Sequence, residues 1–220
     1  MRFRPFYFLL LLFIAAQSSA QQQDFGIWLG SNLSFSQLKK WTVELAPEIR
    51  LNQNSTVVEK AFADFGLEYK VFKFMKIGGF YRGALHNERT HFEGRNRFFA
   101  NVQLSHNYKK IQFSYRFRYQ QQFSDFTTLQ ESGPPSTYYR HKFGVEVDLP
   151  KKLTIASGAD FWISNRPEIQ GVRNLRWTNT ISWDLSKKQR IELSYLFDQG
   201  RNISDPLTMH ILRIQHNFKF

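Results

Sequence analysis

The chain is 220 residues long, carries a formal net charge of +12, contains no cysteine and is 17% Phe, Tyr and Trp. That length fits a single domain, and the lack of cysteine excludes disulfides and an acylated lipoprotein anchor. No apolar run reaches the roughly 20 residues of a transmembrane helix, and the basic residues are scattered through the turns instead of gathered into a nucleic-acid face.

At the amino-terminus Arg2 and Arg4 precede an apolar stretch from Phe6 to Ala16, and Ser18-Ser19-Ala20 offers small residues for cleavage. This is the layout of a secretory signal peptide, so residues 1–20 are expected to be removed and 21–220 to form the mature domain, with a charge of about +10.

From Phe25 onward apolar and polar residues alternate in eleven segments. Each is about 10 to 13 residues, the length a tilted strand needs to cross a bilayer and about twice that of an ordinary globular strand. The first outward row is Phe25, Ile27, Leu29, Leu33 and Phe35. In order follow Trp41 to Leu51, Ala61 to Val71, Met75 to Leu85, Phe98 to Tyr108 and Ile111 to Tyr119. The rest are Tyr139 to Leu149, Leu153 to Ile163, Leu175 to Leu185, Ile191 to Phe197 and Leu212 to Phe220.

Connections alternate in length. Short ones fall near Gln37–Lys40, Phe72–Phe74, Lys109–Lys110, Pro150–Lys152 and Ser186–Arg190, longer polar ones near Asn52–Thr56, Asn87–Asn96, Ser124–Thr137, Asn165–Val172 and Gly200–Leu207. Lys109-Lys110 as a two-residue turn predicts Tyr108 opposite Ile111, and Pro150-Lys151-Lys152 predicts Leu149 opposite Leu153. Short turns on the periplasmic side and long loops outside are the rule for outer-membrane barrels. The last strand stops on Phe220 with unsatisfied backbone, which a closed barrel resolves by pairing it with the first strand.

The fold class expected is therefore all-β, a transmembrane antiparallel up-and-down β-barrel of about 10–12 strands in the outer membrane of a Gram-negative bacterium. A β-sandwich explains neither the segment length nor the aromatic excess. Strand parity does not close, because bacterial barrels have even strand numbers and eleven would put the termini on opposite sides.

Four short turns carry a lysine pair: Lys39-Lys40, Lys109-Lys110, Lys151-Lys152 and Lys187-Lys188. With Trp41, Tyr108, Trp183, Phe218 and Phe220 they are expected to form membrane-interface anchors, an aromatic girdle beside a basic collar facing anionic headgroups. The inward rows carry charges, and Glu44, Glu48, Arg50, Asp64, Glu68, Arg116, Arg118, Arg140, Glu146, Asp148 and Glu192 are the lumen-lining candidates. At this strand number side chains alone come close to filling the interior, so pairing across a filled lumen is the expectation.

No catalytic residue, metal site or cofactor is expected. Ser105 and His106 are neighbours on a strand and face opposite sides, while Asp205 and His210 flank one loop as the nearest approach to an acid–base pair. The opening Gln23-Asp24-Phe25-Gly26-Ile27-Trp28, a second strand with Glu44, Glu48 and Arg50, and the Phe218-Lys219-Phe220 ending resemble the Bacteroidetes-type outer-membrane barrels grouped as domain of unknown function 2490. The resemblance implies a barrel and supplies no activity. The carboxy-terminal phenylalanine is similar to the signal read by the barrel-assembly machinery, a transient partner. Outer-membrane lipid and other outer-membrane proteins complete the expected partners, and nucleic acid is not among them. The expected function is a non-enzymatic barrel, either a narrow channel or a structural subunit of an outer-membrane complex, with a lipid or peptide hydrolase at the outer mouth as the alternative.

Overall fold

A computed structural model describes residues 22–88, 90–123, 136–165, 171–202 and 206–220. The signal-peptide residues, most of the Ser124–Thr137 loop and Asp205 lie outside them. The described chain is all strand: β1 (Gln22–Leu38), β2 (Trp41–Asn52), β3 (Val57–Phe72), β4 (Met75–Asn87), β5 (Phe92–Tyr108), β6 (Ile111–Phe123), β7 (Ser136–Leu149), β8 (Leu153–Ser164), β9 (Val172–Asp184), β10 (Gln189–Gly200) and β11 (Leu207–Lys219). They close into one barrel in sequence order, with β1 meeting β11.

All neighbours are antiparallel except β1 and β11, which run parallel from Gln22 opposite Leu207 to Ser34 opposite Lys219. The parity problem is thus solved in a way the even-number rule does not anticipate. All eleven segments are full strands, and the odd count makes the closing pair parallel. The fully antiparallel expectation is corrected at that one junction. Its physical reason is direction: β1 and β11 both run toward the same end, so they can share hydrogen bonds only in the slanted parallel pattern.

The barrel has a turn end, where the β1–β2, β3–β4, β5–β6, β7–β8 and β9–β10 connections lie, and a loop end. Phe220 sits at the turn end, its amide donating to Ser34 O at 2.9 Å. Gln22 starts β1 at the loop end. Asp24 fixes that start: its carboxylate accepts from the backbone N–H groups of Gln53 (2.9 Å) and Asn54 (2.8 Å) in the β2–β3 turn. Gln53, Asn54 and Ser55 there all have positive φ (50°, 56° and 64°), and Ser55 N–H donates to Phe25 O of β1 at 3.1 Å.

The turn registers agree with the sequence pattern, Tyr108 facing Ile111 and Leu149 facing Leu153. The connection expected at Asn87–Asn96 is shorter, because β5 already begins at Phe92 and pairs it with Asn87. The predicted apolar rows face outward, where Phe65 is 57% and Trp183 55% exposed. Every second residue therefore points into the lumen.

Candidate functional site

Within the lumen lies a cavity of about 660 Å³. Among the described residues its wall carries twelve Lys and Arg side chains against five carboxylates. The lumen filled by paired charges, as expected from the sequence, is therefore only partly realised. The filling is on one side: Trp28, Leu196 and Ile211, with Met209 against them, form a buried apolar cluster beside the β1–β11 junction. The cationic wall of β5, β6 and β7 lies opposite that junction in the strand order.

The arginines are held by a recurring arrangement. Arg50 Nε donates to Glu48 Oε1 at 2.6 Å, with the guanidinium 3.5 Å from the Trp28 ring centroid. Arg82 makes a two-pronged pair with Asp64 (2.5 and 2.7 Å) and stacks over Phe62 at 3.6 Å. Arg140 pairs with Asp160 and lies 4.5 Å from the Trp162 ring. Arg176 donates to Asp198 Oδ2 at 3.0 Å and sits between Trp28 and Trp162. In each case a flat ring carries the cation while an acid fixes its donors, so the charge is rigidly aimed.

Arg118 breaks the series. It stacks over Phe99 at 3.9 Å, but its Nε donates to the neutral Asn101 Oδ1 (2.7 Å) where the others have an acid. Register then sets like charges directly opposite each other: Arg116 against Lys142 and Arg118 against Arg140. Arg82 faces Arg97 and Arg50 faces Lys60 in the same way. Such cross-strand pairs are destabilising unless something neutralises them. Asp160 serves both Arg140 and, at 3.6 Å, Arg116. Nε of Arg97, Arg116, Arg140 and Arg213 are buried with no hydrogen-bond partner among the described residues, although Arg213 Nε lies 3.5 Å from Glu48 Oε2.

Of the sequence-derived lumen candidates, Glu48, Arg50, Asp64, Arg116, Arg118 and Arg140 line this cavity. Glu44, Glu68, Glu146, Asp148 and Glu192 also lie on the inward rows but nearer the turn end, where charges interleave. Lys76 Nζ is 3.3 Å from Glu68 Oε2, Arg190 is 3.7 Å from Glu146, and Thr154 Oγ1 donates to Asp148 at 3.2 Å. Sequence reasoning missed Trp28, Phe62, Phe99 and Trp162, the rings under the arginines, and Arg82, Arg97, Arg176 and Arg213. Strict alternation was signal enough to find them, since each falls on an inward position.

The anchor candidates Trp41, Tyr108, Trp183, Phe218 and Phe220 cluster at the turn end with the lysine turns. Lys40 Nζ lies 5.8 Å from the Tyr69 ring, itself against Trp41, and Lys109 Nζ lies 5.4 Å from the Tyr108 ring. Lys109, Lys151 and Lys152 have left-handed φ of 56°, 63° and 63°. Glycine or asparagine is the usual choice there.

Two of the outward histidines, His141 and His210, are occupied by tyrosines. His141 Nδ1 is hydrogen-bonded to Tyr115 Oη at 2.8 Å and His210 Nδ1 to Tyr195 Oη at 2.7 Å, each beside a phenylalanine, Phe117 or Phe197. His106 faces out beside a second cavity of about 660 Å³ on the outer surface, floored by Ser157 and Ala159 between Phe143 and Trp177.

A family model described as "Protein of unknown function (DUF2490)" matches residues 25–208. A search of curated proteins found no match. Among solved structures the chain is similar to the anion-selective porin from Comamonas acidovorans, at 8% identity and a TM-score of 0.40, over 80% of this chain and 55% of that one. The chain thus spans about half of the porin, and a likeness that faint transfers none of its selectivity.

Proposed function

The chain belongs to that family of unknown function, and from its own lumen we propose that it is a non-enzymatic outer-membrane barrel working as a narrow, anion-preferring channel. One observation carries the reading: a cavity of about 660 Å³ whose wall holds twelve cations to five carboxylates among the described residues. A low-dielectric wall focuses such a field and raises the local concentration of counter-ions.

The membrane half of the proposal rests on the exterior. Phe65, Leu85, Phe143 and Ile181, on four different strands, are each more than half exposed. Large apolar side chains exposed around the circumference are what a lipid-facing barrel presents and what soluble monomers expose only in small patches. The lysine turns add support, since left-handed lysine at Lys109, Lys151 and Lys152 costs roughly 1 kcal/mol each relative to glycine. A chain that keeps lysine there gains from charge at that level, as a collar against anionic headgroups would provide. Export through the signal peptide and insertion by the barrel-assembly machinery complete the reading.

The test is planar-bilayer recording with a KCl gradient. A reversal potential displaced toward the chloride equilibrium value supports the channel. Displacement toward potassium, or no conductance from a verified folded barrel, overturns it.

A further inference from the structure

We propose that the β6–β7 face of the lumen is a discrete binding site for a compact multivalent oxyanion of the phosphate type, bound by Arg116, Arg118, Arg140 and Lys142. The inference deepens the channel reading and rests on it for the solute's route.

The four cations form a small grid. Arg116 and Lys142 are directly opposed across the β6–β7 ladder, and Arg118 and Arg140 are opposed one inward position further along. Opposed residues have Cα atoms about 4.5 to 5.5 Å apart, and alternate positions on a strand are about 7 Å apart. Four positive side chains therefore leave a patch about the size of one small anion. The charge within reach is unbalanced. Asp160 faces Lys142 across the β7–β8 ladder and already accepts from Arg140. Asn101, where an acid would complete the arginine–carboxylate pattern, contributes no charge.

Two donors are left over while two guanidinium planes are held in place. Nε of both Arg116 and Arg140 is buried and unsatisfied among the described residues, and Phe99 and Trp162 hold the Arg118 and Arg140 guanidinium planes. Buried cations in this state are destabilising unless a counter-charge fills the space between them. A net excess of three positive charges over Asp160 matches phosphate or pyrophosphate better than chloride. Guanidinium forks match oxyanions in shape as well as charge.

The experiment uses the refolded full barrel in neutral detergent, titrated calorimetrically with inorganic phosphate, pyrophosphate, sulfate and chloride. Saturable one-to-one binding is expected, with pyrophosphate tightest, sulfate close to phosphate, and chloride at least about tenfold weaker. Arg116→Gln and Lys142→Gln should each weaken pyrophosphate about tenfold or more, and Arg201→Gln at the loop end should not. Unfolding curves give a second readout. In phosphate-free buffer Lys142→Met should be more stable than the native chain, because it removes an uncompensated charge, and pyrophosphate should stabilise it less. Equal binding of chloride and pyrophosphate, or pyrophosphate binding unchanged in both Gln variants, overturns the proposal. A barrel that binds pyrophosphate and passes no current would refute the channel while leaving this site standing. One that conducts chloride without saturable pyrophosphate binding would do the reverse.

Discussion

Phe220 lies flat against Phe35 across the β1–β11 junction, with ring centroids 4.1 Å apart and planes 6° from parallel. Phe218 adds a tilted ring at 4.6 Å. The last residue of the chain is thus tied to the first strand by its ring as well as by its amide, which donates to Ser34 O. Aromatic pairs contribute about 0.5 to 1.5 kcal/mol beyond area burial. Phe220→Ala is expected to lower the urea unfolding free energy by about 1 to 2 kcal/mol, and Phe35→Ala by a similar amount. A double-mutant cycle returning no coupling would show that the rings act separately.

At the other end of the same strand, Asp24→Ala removes the acceptor for Gln53 and Asn54 N–H. A carboxylate capping backbone donors at an exposed site contributes about 1 kcal/mol, by analogy with helix caps. Amide exchange should rise at residues 53–55 and at the start of β1, with β6 and β7 unchanged. Asp24→Asn, which keeps an acceptor oxygen, should recover most of the loss.

The Phe80 ring covers two glycines. A Cβ on Gly66 would stand 2.0 Å from Phe80 Cδ1, and one on Gly78 would stand 2.8 Å from Phe80 Cε2, while the ring stacks on Phe99 at 4.9 Å. Gly66→Ala must displace that ring and, with it, the Phe99 beneath Arg118. A loss of about 1 to 3 kcal/mol is expected, as for overpacking, and Phe80→Leu combined with Gly66→Ala should recover part of it.

Asp64 and Arg82 make a two-pronged ion pair inside the lumen, with side chains 17% and 12% exposed. Breaking a pair this dry leaves a buried charge, so Asp64→Asn should cost about 2 to 4 kcal/mol. Replacing both partners with apolar residues of similar volume, Asp64→Leu with Arg82→Met, should cost clearly less. If the double variant loses the sum of the singles, the ions are not acting as a pair.

Lys151→Gly and Lys152→Gly relieve left-handed φ. In neutral detergent the double variant is expected to gain stability, up to about 1 kcal/mol per site, less the entropy glycine adds to the unfolded chain. Binding to vesicles containing anionic lipid should weaken, by about 1 kcal/mol per lysine removed. Weaker binding without a gain in neutral detergent would locate the effect in charge alone.

Strand length, facing and turn register were legible because each follows from period-2 alternation, and the same pattern bounded the strand number at about 10–12 without fixing it at eleven. Tyr108–Ile111 and Leu149–Leu153 pair as the turns require. A count of eleven up-and-down strands already sets the first and last strands running the same way, and the even-number rule turned that implication into an apparent conflict; the parallel closure of β1 on β11 resolves it. The lumen was legible as a set of inward positions. Its chemistry depends on neighbours across ladders. That Arg118 meets Arg140, and that Asn101 stands where Asp64 and Asp198 stand for other arginines, follows from register, whereas the mixed charges on the inward rows suggested only that they pair across a filled lumen.

The parallel junction also sets the order of events in making the molecule. Every antiparallel neighbour is joined by its own connection and can zip from it as a local hairpin. β1 and β11 have no connection between them and meet only when segments some 185 positions apart in sequence come together, as Gln22 does with Leu207. Contacts of such separation are the slowest to form. Sealing is thus a late encounter between distant parts of the chain, and until it happens both β1 and β11 offer free backbone to any strand that arrives first.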